Sequence, residues 1–297
     1  MVSHGTNVKP TLMVQHDSSH PNQDFAIQQT LGAIEQQGAP ILAILPGAET
    51  GVELSDRLAA RYGTRNNGEE NTEARRNKYI MQETIRNKGV RAIQQKLCRS
   101  EEEVRSFYSS LQGSSPKCVV KPNESAGTDS VYLCSNEEDS VGAFLHIHGH
   151  INGLGQMNDG ALVQEFLQGT EFVIDGVSRD GVYKVIAIWQ YDKRSVNGAN
   201  FVYFGMRLRD GGGSDPEIQA LLDYAKSVVK ALKIFQGPSH MEVMSCRDAQ
   251  GKVQPCLVEV GSRCHGGEGS WLPVAMECIG YSQLDATLNW YHHMALI

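Results

Sequence analysis

Cys256-Leu257-Val258-Glu259-Val260-Gly261-Ser262-Arg263-Cys264-His265-Gly266-Gly267 is the stretch on which the reading of this chain turns. An apolar strand, Cys256 to Val260, carries a single acidic residue; an arginine follows four positions after that residue, and then a glycine pair. Upstream, Gly237-Pro238-Ser239-His240-Met241-Glu242-Val243-Met244 sets a second carboxylate in another apolar, strand-like run. The segment from Ser245 to Pro255, polar and holding Gly251, reads as the turn between them. If the two strands pair, Glu242 and Glu259 project from one face as neighbours. Two like charges held there repel, and a divalent cation between them resolves the repulsion.

Working outward, apolar runs at 11–15 and 41–45 flank a helical pattern from Asp24 to Gln37. A strand–helix–strand unit of this kind implies a parallel sheet. Pro46 to Glu53 turns the chain into a second helix, Gly51 to Tyr62, and a charged helix is expected from Glu73 to Lys88. Without further context its basic residues, Arg75, Arg76 and Lys78, read as a solvated face. Ser100-Glu101-Glu102-Glu103 has the form of a capping box and opens another helix.

Lys117 to Pro122 is a strand ending in lysine, followed by the small-residue loop Asn123 to Ser130 and a strand at Val131 to Cys134. Strand, polar loop, strand is how a phosphate-covering flap is built, and also how an ordinary hairpin is built. The backbone N–H groups of Ser125, Ala126, Gly127 and Thr128 can approach phosphate oxygens because the side chains are small, while Lys121 adds a point charge. His146, His148 and His150 invite a metal reading, but no acid or cysteine stands at matching spacing. Beyond the Gly-rich segment 153–160, runs at 161–167, 169–177, 182–189 and 201–206 read as an antiparallel sheet. The apolar stripe from Asp215 to Leu232 is a core helix, and Gln283 to Met294 a closing one.

With 297 residues the chain has room for two compact units. A formal charge of -7 and a pI near 5.8 argue against a nucleic-acid partner. No apolar run approaches the ~20 residues of a membrane span, and the first ten residues lack the form of a secretory signal. Seven scattered cysteines without a Cys-x-x-Cys pair read as reduced thiols, so a cytoplasmic location is expected.

Taken together and in this order, these motifs resemble the ATP-grasp superfamily: Lys78 at a helix start, Val119-Val120-Lys121-Pro122 before the flap, Leu162 to Glu171, His240-Met241-Glu242, and Glu259 with Arg263. Within it the chain looks most like carboxylate–amine ligases of the L-amino-acid (dipeptide) ligase type. The resemblance implies an α/β fold of α+β character. A short N-terminal parallel lobe (1–74) would precede a lid subdomain (75–160) and an antiparallel-sheet subdomain (161–297). It implies ATP and Mg2+, or Mn2+ in its place. Lys78, Lys121 and the 125–128 loop would lie on the phosphates, Glu165, Phe166 and Leu167 at the adenine, and Glu171 at the ribose. Glu242 and Glu259 would hold the metal and Arg263 would neutralise the transferring phosphoryl group. His240 is a candidate for contacting the acyl group or relaying a proton, and Gly266 and Gly267 would let backbone amides approach the substrate.

The implied reaction joins a small-molecule carboxylate to an amine through an acyl phosphate. An ATP-binding regulatory protein, or a carboxylase using bicarbonate, are the alternatives; a homodimer is one option for assembly. One position departs from the pattern. The family often has Glu-x-Asn, with the Asn as an additional metal ligand, and here that place is Gly261. Water, Ser262 or bidentate binding by Glu259 are the fillers the sequence offers.

Overall fold

The computed structural model describes residues 12–111, 116–125, 129–197, 199–267 and 269–292. Its N-terminal part departs from expectation. Asn22 caps helix α1 (Gln23–Glu35), its side chain accepting from the Phe25 N–H, and Ile27 and Leu31 pack on Leu58 of α2 (Val52–Tyr62). The expected parallel sheet is not formed: residues 12–15 and 41–45 carry no strand. Parallel strands need cover on both faces, and here Met13 and Leu42 stay exposed.

The helix expected from Glu73 to Lys88 is broken in two. A single 3-10 turn, Glu73–Arg75, is followed by α3 (Lys78–Asn87), for which the Asn77 side chain is the cap, accepting from the Ile80 N–H. Arg75 is not on a solvated face. It is fully buried, 2.8 Å from Asp56, and donates to the carbonyls of Gly68 and Leu232. That pair ties α2 to the start of α3 and so fixes where Arg76 and Lys78 emerge.

Strands β1 (Gln95–Cys98), β2 (Cys118–Lys121), β3 (Tyr132–Cys134) and β4 (Ala161–Glu165) form one antiparallel sheet in the order β1-β4-β2-β3. Helices α4 (Glu101–Ser110), capped by Ser100 as its sequence predicts, and α5 (Glu137–Ile147) cover it through Val104, Phe107, Val141 and Phe144. Strand β4, which the sequence groups with the C-terminal subdomain, is thus hydrogen-bonded into the lid sheet, and the crossing between sheets falls at 166–168.

The second sheet is also antiparallel, in the order β7-β6-β5-β8-β9: β5 (Gly169–Arg179), β6 (Val182–Val196), β7 (Ala199–Arg209), β8 (Gly237–Arg247) and β9 (Val253–Gly261). One face takes the apolar stripe of α6 (Pro216–Ala231), where Ile218, Leu221, Ala225 and Val228 meet Phe172, Ile174, Met241 and Leu257. Each fully buried side chain of this size contributes about 1.5–3 kcal/mol. The other face carries the polar residues described below, flanked by α7 (Trp271–Ile279) and α8 (Gln283–His292). Helix α7 is not among the elements expected from the sequence; its Pro273 falls in the first turn, where a proline is tolerated. No helix among the described residues is long and apolar enough to cross a membrane.

Candidate active site

The cleft between the sheets is built on one register. Strands β8 and β9 pair so that Glu242 stands directly opposite Glu259, with the ladder slipping just beyond them, between Glu242 and Val243. Directly paired residues share a face, so the two carboxylates are neighbours, as the sequence predicts. Lys78 Nζ lies 3.1 Å from Glu259 Oε2 and also donates to the Ser125 carbonyl at 2.7 Å, joining helix α3, strand β9 and the start of the flap. Ala126, Gly127 and Thr128 lie outside the described residues.

Lys121, at the end of β2, is buried. Burial and the Lys78 ammonium pull its pKa down to about 8, against the opposing pull of Glu259, Glu242 and Glu171. Burial pushes Glu259 up, but Lys78 and then Lys121 outweigh burial and Glu242 together and hold it below the usual carboxylate range. Glu171 is bound at 2.6 Å by Lys193 of β6. Burial and the Glu242 charge nonetheless raise its pKa.

Arg263 follows β9 and faces the same cleft, a solvent-open space of about 420 Å³ whose lining includes Glu49, Arg76, Lys78, Ser125, Leu154 and Glu259. Its Nε is 2.8 Å from Glu49 Oε2, and Glu49 Oε1 is 2.6 Å from Arg76 Nη1. Gly266 and Gly267 sit on the adjoining loop. Gly267 has φ +68, and a Cβ there would fall 2.6 Å from Trp271 Nε1, so glycine is required on both counts. Ser262, one of the fillers the sequence offers for the missing asparagine, points the other way. It lines a separate space with Ile44, Asp56 and Tyr291.

His240 is buried behind Glu242, its Nε2 3.6 Å from Glu242 Oε1 and its Nδ1 3.0 Å from Asp175 Oδ1. Asp175 Oδ2 meets His265 Nδ1 at 2.9 Å and accepts from Trp189 Nε1 at 3.0 Å. Burial works to raise Asp175, yet the hydrogen bonds from His240 and His265 bring it to about 2. Burial lowers His240, but hydrogen bonds to Asp175 and Glu242 reverse this and lift it to about 9. His265 goes the other way, lowered by burial with the His240 charge. Asp175, His240 and His265 keep their ligand atoms within 4.8 Å of one another. The carboxylate is already satisfied by three donors, so the cluster is a hydrogen-bond network that ends on Glu242. In that setting Glu242 is held low: the His240 hydrogen bond and the Lys193 charge overcome its burial.

Glu165, the last residue of β4, leads through Phe166 and Leu167 from one sheet to the other. The Glu165 side chain accepts from the Gln94 N–H, the Phe166 N–H donates to the Lys117 carbonyl, and Leu167 packs on Ile93 and Cys256. His146 and His150 are engaged locally, with the Gly142 and His148 carbonyls, and His148 stacks on Phe144. The residues the sequence missed are Glu49, Arg76, Asp175, Lys193 and His265. Of these, only Arg76 and His265 adjoin a quoted motif.

A family model described as an ATP-grasp domain matches residues 114–270, just over half of the chain. The chain belongs to the ATP-grasp family. It is 35% identical over 276 residues to dapdiamide A synthase of Enterobacter agglomerans, covering 92% of this chain and 62% of that protein. The L-amino acid ligase of Bacillus licheniformis superposes with a TM-score of 0.67 at 20% identity, over 90% of this chain and 60% of the other. Biotin carboxylase of Campylobacter jejuni gives 0.68 at 14% identity, over 91% of this chain and 58% of its own. The chain spans about three-fifths of the length of these relatives.

Proposed function

We propose that this ATP-grasp protein is an ATP-dependent, ADP-forming carboxylate–amine ligase. The observation that carries the reading is the Glu242–Glu259 register with Lys78 on Glu259 and Arg263 in the same cleft. Likeness to dapdiamide A synthase supports it at the level of reaction class. The residues present fit a divalent cation, Mg2+ or Mn2+. Two half-buried carboxylates stand opposite each other, and a third nearby, Glu171, is driven towards its protonated form by burial and by the Glu242 charge. Glu242 and Glu259 would hold it. When bound, it supplies charge neutralisation on the triphosphate.

The chain's own residues then do the following. Lys78 and Lys121 bind phosphate oxygens, with the 125–128 loop closing over them, and Glu165 to Leu167 border the base with Glu171 at the ribose. Arg263 stabilises negative charge on the transferring phosphoryl group as a substrate carboxylate attacks it. That attack gives an acyl phosphate and ADP, and an amine then displaces phosphate. Positioning and charge stabilisation carry such chemistry. His240, fixed by Asp175, orients Glu242, and the backbone at Gly266 and Gly267 borders the substrate. The protein's partners are small molecules, a carboxylate, by likeness to the relatives an amino acid, and an amine; it acts in the cytoplasm as a homodimer.

The test is a phosphate-release screen over pairs of amino acids with ATP and Mg2+, with mass spectrometry of the products. Glu259→Gln is expected to abolish turnover with its unfolding transition unchanged. Undiminished turnover in that variant removes the assignment of Glu259. Turnover that needs bicarbonate and no amine would instead favour carboxylation, and tight ATP binding without any turnover a regulatory role.

A further inference from the structure

Strand alternation puts position 261 on the same face of β9 as Glu259. Gly261 leaves that place without a side chain, and the backbone there is not in the left-handed region, so conformational freedom is not the reason for a glycine. Space is. A Cβ at 261 would lie 2.8 Å from Glu49 Oε2 and 3.2 Å from Arg263 Cζ, nearer than real Cβ contacts allow in the first case. The carboxylate of Glu49, reaching in from the turn before α2, fills the volume a side chain at 261 would need.

Glu49 lies between two guanidinium groups: Oε1 accepts a hydrogen bond from Arg76, Oε2 is ion-paired with Arg263 Nε without a hydrogen bond, and all three side chains are largely shielded from solvent. Arg263 is gripped from its other end too, Nη1 donating to the Cys264 carbonyl at 3.0 Å. Charge explains why an acid is needed. Two guanidiniums and Lys78 line this cleft, and an uncharged amide at 261 would leave the arginines facing each other uncompensated.

We propose that Glu49 and Gly261 are one device: the glycine admits the Glu49 carboxylate, and Glu49 is the positioning residue that holds Arg263 over the cleft. This rests on the ligase reading for Arg263's role, while the spatial exchange between 49 and 261 stands apart from it. A side chain at 261 is then harmful only while Glu49 is present.

The experiment compares the wild type with Glu49→Ala, Gly261→Asn and the double variant. Turnover is measured as kcat and KM for ATP with the substrates the screen identifies, and urea unfolding is measured without ligands. Gly261→Asn should lower kcat about ten-fold or more in the wild type, the scale expected of residues that orient a catalytic group, and leave it within about two-fold in the Glu49→Ala background, whose own loss of kcat an uncharged amide does not restore. KM for ATP should move far less than kcat. The urea midpoint should fall on Gly261→Asn in the wild type and not in Glu49→Ala. Independent, multiplying losses in kcat, or an equal drop in midpoint in both backgrounds, overturn the proposal. If no protein in the set turns over, the ligase reading fails, and the unfolding comparison alone decides whether 49 and 261 exchange.

Discussion

Replacing Lys121 with methionine should make the ligand-free protein more stable while removing its hold on ATP. Lys121 is only 7% exposed, and burial together with Lys78 brings its pKa from the ordinary 10.5 to about 8. That difference corresponds to about 3 kcal/mol of destabilisation at neutral pH. Methionine keeps the length of the side chain without the charge. Urea unfolding of Lys121→Met should therefore show a gain of up to about 3 kcal/mol at pH 7, on the order of 5 °C or more in Tm. The sign follows from linkage. Below about pH 8 both folded and unfolded forms hold the proton and the whole penalty is present. Between about 8 and 10.5 the folded form sheds it first, so wild-type stability climbs towards that of the variant. Added Mg–ATP should reverse the order, raising the wild type by about 2.7 kcal/mol at a hundred times Kd and the variant little. A variant less stable than wild type by more than about 1 kcal/mol at pH 7, or a difference that does not change with pH, would refute the reasoning.

Three further outcomes follow from the packing. Arg75→Ala strands Asp56 in the interior and should cost about 3–5 kcal/mol in urea unfolding; an Arg75→Met/Asp56→Leu double variant should lose clearly less. Asp175, at about 2 when folded against an ordinary 3.8, contributes about 2 kcal/mol that is fully present above pH 4 and is lost as pH falls through about 2. Asp175→Asn should flatten that acid limb and lower kcat more than it raises KM for ATP. Gly267→Ala meets both the left-handed backbone and Trp271, so it should lose about 1–2 kcal/mol from conformation alone, with a shift in tryptophan emission that reports the displaced ring.

The parts of this molecule legible in its sequence are those written within one element or two elements joined by a short turn. The Glu242–Glu259 pairing could be read because both residues lie in apolar strands joined by a polar turn, which leaves few registers that keep the apolar faces buried. The cap at Ser100 and the stripe of α6 are equally local. The parallel N-terminal sheet was misread because short apolar runs signal burial without saying what does the burying. Arg75 was misread for the opposite reason: a guanidinium looks solvated until Asp56 and the carbonyls that receive it are known.

Glu49, Lys193 and Asp175 escaped for a common physical reason. Each completes the charge balance of a group on another segment: Glu49 that of Arg263, Lys193 that of Glu171, Asp175 that of His240 and His265. Pairing across segments depends on tertiary approach, and no spacing rule encodes it. Motif residues announce a site because the chemistry restricts which side chains can serve there. Their partners need only carry the right sign and arrive close enough, so an empty position such as Gly261 marks the place where one of them comes in.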